Sequence, residues 1–297
     1  MQKKYAGVVV PMITPLTENL KIDVKAVNII MSEFAKNNIS PLVLGTTGES
    51  ASIGQAESAV FVEAAVKAKQ PNQTIYAGLV GNNVEELINR AKLYASLGAD
   101  VVVSTLPSYY ILTPPQMEIF YTQLADASPC PVMMYNIKAT TQMTIPLDIV
   151  EKLSHHPNIA GLKDSERDPE RLKTCIETYK NRVDFAFFCG WGAQGFNSLQ
   201  MGADGIVPST GNIVPELYKS LYDAFLNENF EAAEKAQIQT DEVALIYQKD
   251  RTLGQSLAAL KIMMGVRGYC QSYMMPPLTE LSENEKLTIK NEKLYVL

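Results

Sequence analysis

A chain of 297 residues that is 46% hydrophobic and only 20% charged holds enough apolar material for one large core, which excludes a disordered tail or linker. Its formal net charge of -6 leaves no basic surface to attract nucleic acid or an acidic membrane, and no apolar run reaches membrane-spanning length. Four scattered cysteines lack any Cys-x-x-Cys pair and read as buried thiols, while the two histidines, His155 and His156, share a polar turn, so disulfide staples, a histidine triad and a zinc site are set aside.

The chain start, Met1-Gln2-Lys3-Lys4-Tyr5, runs into an expected strand at 7–10 that Pro11 closes, too short for a signal-peptide core, so a cytoplasmic location is expected. Further short runs rich in Val, Ile and Ala predict strands at 41–44, 74–79, 100–104, 131–135, 159–163, 185–189 and 205–207. Most of these runs lack polar alternation, the mark of parallel strands covered on both faces. Between them, apolar spacing predicts helices over 24–37, 55–68, 84–97, 115–127, 145–153, 168–178 and 194–201, followed by 214–227 with Pro215 in its first turn. Gly98-Ala99-Asp100 and Gly202-Ala203-Asp204 each close a helix on glycine and open a strand.

Eight strand-helix units in about 225 residues match a closed (β/α)8 TIM barrel, whose catalytic groups gather at the C-terminal strand ends. An open doubly wound sheet is the competing architecture, but no Gly-x-Gly-x-x-Gly follows the first strand. Beyond residue 227 the strand pattern stops. Helices are expected over 230–249, 253–266 and, after Met274-Met275-Pro276-Pro277, 283–291. The division is thus a catalytic barrel over 1–227 and a C-terminal helical extension over 228–297.

Lys163 ends the apolar run Ile159-Ala160-Gly161-Leu162, where burial lowers the pKa of an amine and frees it to attack a carbonyl carbon. The competing reading is a lysine that leaves the strand end to pair with Asp164 or Glu166. Tyr135 ends another strand and opens onto the same mouth, where a phenol relays the protons that imine formation needs, although packing alone also accounts for such a tyrosine. Gly45-Thr46-Thr47-Gly48-Glu49-Ser50 offers free backbone and hydroxyl donors to a carboxylate, or is simply a turn; it lacks the lysine of a P-loop. Pro107-Ser108-Tyr109-Tyr110 adds phenols beyond the fourth strand, suited either to the site or to a subunit contact.

In this order the motifs resemble the dihydrodipicolinate synthase and N-acetylneuraminate lyase superfamily of class I aldolases along nearly the whole chain. The resemblance implies that Lys163 carries a Schiff base with pyruvate and that Tyr135 transfers protons. It implies that Thr46 and Thr47 bind the pyruvyl carboxylate with Gly48 beside them, and that Tyr109 reaches into a neighbouring subunit's site. Ser165, Gly190 and Ile206 are expected to line the substrate, and a homotetramer built from dimers is the expected assembly. The iminium supplies the electron sink, so the expectation is an enzyme without metal or cofactor.

Two departures bear on the substrate. Synthases of the lysine pathway carry an arginine after the Tyr-Asn motif, where this chain offers Thr140, with Lys138 two positions early. Sialic acid lyases carry an acidic pair where Gly190-Trp191-Gly192-Ala193 supplies no carboxylate. By elimination the expected reaction is reversible cleavage of a 2-keto-3-deoxy sugar acid, or a related 4-hydroxy-2-oxo acid, to pyruvate and an aldehyde. Dihydrodipicolinate synthesis from pyruvate and aspartate semialdehyde, sialic acid cleavage, and a non-catalytic barrel that senses a 2-oxo acid are the alternatives.

Overall fold

Because alternate residues of a strand face opposite sides of a sheet, closing a parallel sheet sorts its side chains into an interior and an outer layer. The computed structural model, which describes residues 3–292, shows that sorting. Strands β1 (Gly7–Pro11), β2 (Ser40–Val43), β3 (Tyr76–Leu79), β4 (Val101–Thr105), β5 (Val132–Asn136), β6 (Ile159–Asp164), β7 (Ala186–Cys189) and β8 (Gly205–Ile206) pair in sequence order, and β8 returns to β1 to close the barrel. Tyr5, Val9, Leu42, Tyr76, Val103, Met133, Phe188 and Val207 belong to the interior. Tyr76 stands edge-on between Tyr5 and Phe188 at 6.2 Å from each, an aromatic plug that makes the interior a packed core and not a pore.

The outer layer meets helices α1 (Val24–Lys36), α2 (Gln55–Ala68), α3 (Val84–Ser96), α4 (Pro114–Ala127), α5 (Lys138–Thr141), α6 (Leu147–Leu153), α7 (Pro169–Tyr179), α8 (Gly195–Met201) and α9 (Pro215–Leu226). The expected elements are all present with small shifts at their ends. Strand β3 begins two residues later than its apolar run because Thr74 and Ile75 donate their N–H groups to Ser40 Oγ and Asp100 Oδ2, at 3.0 and 2.7 Å, instead of to a ladder. The turn α5 was not foreseen: its sequence Lys-Ala-Thr-Thr is too short for periodicity to register. Gly98 and Gly202 adopt φ of +101° and +108°, as helix-closing glycines, and Pro215 is the first residue of α9.

Lys3 locks the N-terminal face of the barrel. Its Nζ donates to Asp204 Oδ2 at 2.8 Å and to the Tyr179 and Phe185 carbonyls at 2.7 and 3.0 Å. Helices α10 (Phe230–Gln248), α11 (Leu253–Val266) and α12 (Glu283–Asn291) follow the barrel, with α10 packed along α9. The expected division after residue 227 falls in the α9–α10 turn; residues 1, 2 and 293–297 of the two expected units lie outside the described residues. All four cysteines are free and buried. Among the described residues no helix is long and apolar enough to cross a membrane.

Candidate active site

Strands β5 and β6 pair with Tyr135 opposite Lys163 and Asn136 opposite Asp164. Alternation therefore turns Tyr135 and Lys163 into the barrel and Asn136 and Asp164 away from it. Lys163 is 3% exposed, and its Nζ lies 3.7 Å from the centroid of the Tyr135 ring, a cation–π distance. Beneath the amine, Val9, Leu42, Val103, Met133 and Val207 enclose a void of about 10 Å³, at the lower limit for one water.

Both carboxylates that the competing reading assigned to Lys163 are held elsewhere. Asp164 accepts Arg171 Nε at 2.7 Å, Asn136 Nδ2 at 3.1 Å and the Glu166 N–H at 2.9 Å. Glu166 accepts Thr144 Oγ1 at 2.9 Å, Asn136 Nδ2 at 3.0 Å and Lys138 Nζ at 3.3 Å. Burial pushes the Asp164 carboxyl up, with Arg171 opposing it. Among the described residues, no carboxylate forms an ion pair with Lys163. The strand-end lysine is buried, with the Tyr135 ring and not a carboxylate beside its amine.

Burial alone raises the Tyr135 phenol, but the charge of Lys163 and hydrogen bonds with Ser165, Thr46 and Lys163 outweigh it and hold the group below its ordinary value of 10.0. Thr46 lies in the loop after β2 and Ser165 directly follows β6, so both act on the phenol from strand ends.

That loop is built by close backbone approach. Leu44 is left-handed, at φ 55°, and its carbonyl oxygen passes so near Gly78 of β3 that a Cβ there would lie 1.9 Å from it. Thr46–Gly48 then form a single 3-10 turn whose last residue packs on the first strand's exit: a Cβ on Gly48 would sit 2.9 Å from the Met12 carbonyl oxygen, and Thr14 Oγ1 donates to the Gly48 carbonyl at 2.5 Å. Thr47 is buried and Thr46 half-buried. An isolated glycine inside a strand pattern signals such an approach, and Gly78 was legible on that ground but not singled out.

The remaining expected residues divide. Gly190 joins the cluster: its N–H donates to the Asp164 carbonyl at 2.7 Å, and a Cβ there would strike Ser165 Oγ at 2.1 Å. Ile206 is buried, but its side chain belongs to the outer layer and packs toward Gly195 of α8; the neighbouring Val207 is the one that faces the interior beneath Lys163. Thr140 is exposed on α5, and Lys138 beside it is drawn to Glu166. Tyr109 is 77% exposed and edge-on to Tyr110 at 4.9 Å, whereas Lys163 is buried. His155 and His156 precede β6, at the opposite end of that strand from Lys163, and pair with Glu151 and Asp126. The interior-facing Met133 and Phe188, also missed, follow from the period of two once the inward phase of Tyr135 and Lys163 is known.

Comparison with known proteins covers nearly the whole chain. The family model described as the dihydrodipicolinate synthetase family matches residues 4–293. The chain is 26% identical to a probable 2-dehydro-3-deoxy-D-pentonate aldolase of Escherichia coli, over 99% of this chain and 97% of that protein. It is 30% identical to a DapA-like lyase of Thermococcus kodakarensis, over 92% and 93% of the two chains. The solved dihydrodipicolinate synthase of Bacteroides thetaiotaomicron superposes with a TM-score of 0.91 at 26% identity, covering 98% of each chain. A barrel with its lysine and tyrosine paired across β5 and β6, matched by this family from one end to the other, belongs to the dihydrodipicolinate synthetase family of lyases.

Proposed function

We propose that this enzyme is a class I aldolase that reversibly cleaves a 2-keto-3-deoxy sugar acid, or a related 4-hydroxy-2-oxo acid, to pyruvate and an aldehyde. The observation that carries the reading is a buried lysine without a carboxylate partner, its Nζ 3.7 Å from the ring centroid of a tyrosine whose phenol is held below its ordinary range. The Lys163 amine adds to the C2 carbonyl, and loss of water leaves an iminium. Tyr135 takes the C4 hydroxyl proton, the C3–C4 bond breaks, and its electron pair moves into the iminium to give an enamine and the free aldehyde. Protonation of the enamine at C3 and hydrolysis release pyruvate and restore the amine. Thr46, Thr47 and the backbone N–H groups of their turn hold the carboxylate; Gly48, Ser165 and Gly190 shape the space around it.

A synthase that condenses pyruvate with aspartate semialdehyde needs a cation for the second carboxylate. Thr140 supplies none, and the nearby Lys138 is engaged by Glu166 at 3.3 Å, which favours the aldolase. A non-catalytic sensor would have no use for Lys163 and Tyr135 together. The assembly is proposed to be a cytoplasmic homotetramer in which the exposed Tyr109, Tyr110 and Ile111 meet a neighbouring copy. Purified protein incubated with pyruvate and borohydride is expected to gain the mass of a reduced adduct, and a panel of keto-deoxy acids is expected to release pyruvate. Faster turnover with pyruvate and aspartate semialdehyde than with any keto-deoxy acid contradicts the aldolase assignment while leaving the Schiff base standing.

A further inference from the structure

Glu49 closes the Thr46–Gly48 turn, yet its side chain is bound to a residue 226 positions away in sequence. It is left-handed, at φ 56°, and its carboxylate is 0% exposed, a place where an anion persists only if it is compensated. Two groups of the C-terminal helical segment compensate it. The Lys261 ammonium of α11, itself 1% exposed, forms an ion pair with Oε1, and the Met275 N–H donates to Oε2 at 2.8 Å. Lys261 in turn donates to the Tyr273 carbonyl at 2.7 Å, so α11 and the segment 273–275 grip the same carboxylate.

The consequence for the turn is mechanical and electrostatic. Leu44, two residues before the turn, and Glu49, directly after it, occupy left-handed backbone that non-glycine residues keep only when their surroundings over-determine it. Within the turn, the bonds are local: Gly48 N–H to the Gly45 carbonyl at 2.9 Å and Glu49 N–H to the Thr46 carbonyl at 3.2 Å. The buried Glu49 anion also directly follows the donors that would receive a substrate carboxylate, so it repels that substrate unless a cation cancels it.

We propose that Glu49, Lys261 and the Met275 N–H form a positioning device through which the C-terminal helices set the affinity of the Thr46–Gly48 turn for the carboxylate of the 2-oxo acid. The inference rests on the reading of that turn as the carboxylate site. Lys261 and Glu49 touch no reacting atom; they act through the turn, and the effect belongs in the half-saturating pyruvate concentration rather than in the maximal rate of adduct formation.

The test is pyruvate-dependent borohydride trapping, followed as initial rate against pyruvate concentration. Lys261→Met, which strands the anion, is expected to raise the half-saturating concentration on the order of ten-fold, with the maximal rate changed less than about two-fold. The neutral pair Glu49→Gln/Lys261→Met, in which the side-chain amide oxygen at position 49 still accepts from the Met275 N–H, is expected to recover most of that loss. A folded Lys261→Met protein with an unchanged half-saturating concentration overturns the proposal. Hydrogen exchange on the unaltered protein tests it without any variant: pyruvate is expected to slow the amides of Gly48, Glu49 and Met275 together, and protection of the first two with none at Met275 overturns it. A missing adduct at Lys163 in the unaltered protein is a different failure, that of the Schiff-base reading itself.

Discussion

Gly78 is expected to be the least replaceable glycine of the barrel mouth. A Cβ at this position would lie 1.9 Å from the Leu44 carbonyl oxygen, 2.5 Å from its carbon and 3.0 Å from the Gly45 nitrogen. All three are backbone atoms, so no rotamer relieves the clash. Restoring van der Waals contact needs a displacement of about 1.5 Å, and it falls on the left-handed residue that leads into Thr46 and Thr47. Overpacking of this kind costs about 1–3 kcal/mol of stability, and a reacting group misplaced by about 1 Å loses roughly a hundred-fold in rate. Gly192, at the same end of the barrel, has no atom within 4 Å of an added Cβ and serves as the control. Denaturant titration and pyruvate trapping of Gly78→Ala and Gly192→Ala are to be compared. The first is expected to unfold earlier and to bind pyruvate poorly, the second to match the parent in both. A Gly78→Ala protein with parental stability and parental trapping refutes the view that backbone contact with β3 shapes the loop.

Replacing Tyr135 by Phe is expected to lower aldol cleavage by about 10²–10⁴-fold in steady-state assays without weakening the fold. Because the phenol is held below 10.0, its ionised form is present at lower pH than in an ordinary tyrosine, and kcat/KM for cleavage is expected to rise with pH along a limb centred below that value; the limb should vanish in Tyr135→Phe. Lys3→Met strands buried Asp204 and should cost about 3–5 kcal/mol in denaturant titration, with trapping by the folded fraction unchanged. Tyr109→Ala removes an exposed ring and should alter chain stability by less than about 0.5 kcal/mol while cutting turnover. If the ring serves a neighbour's site, co-expression with Lys163→Ala regains activity that neither variant has alone, and no regain contradicts the shared site.

The parts of this molecule that were readable in the sequence are those written in local pattern. The Val-rich runs, the glycine of each Gly-Ala-Asp and the proline at 215 reflect short-range steric preferences, so eight strands and the barrel phase followed from them. Lys163 and Tyr135 stood out because a lysine at the end of an apolar strand breaks its own surroundings' rule. What stayed hidden depends on side-chain partners that local pattern does not mark. Nothing near Asp164 announces Arg171 as the guanidinium that takes it from Lys163, and nothing near Glu49 announces Lys261. Ile206 was drawn from a motif resemblance, which names a position but not a side-chain direction; the inward residue is Val207, directly after β8. Tyr109 is exposed in the single chain, and its expected role lies in a contact between copies.

Of all these experiments, the most direct is peptide mapping after reduction. With pyruvate and borohydride present, a secondary-amine adduct is expected on the peptide that carries Lys163 and nowhere else, and Lys163→Arg is expected to abolish both adduct and turnover. An unmodified Lys163 peptide, an adduct on a different lysine, or an active arginine variant contradicts the Schiff-base chemistry on which the rest depends.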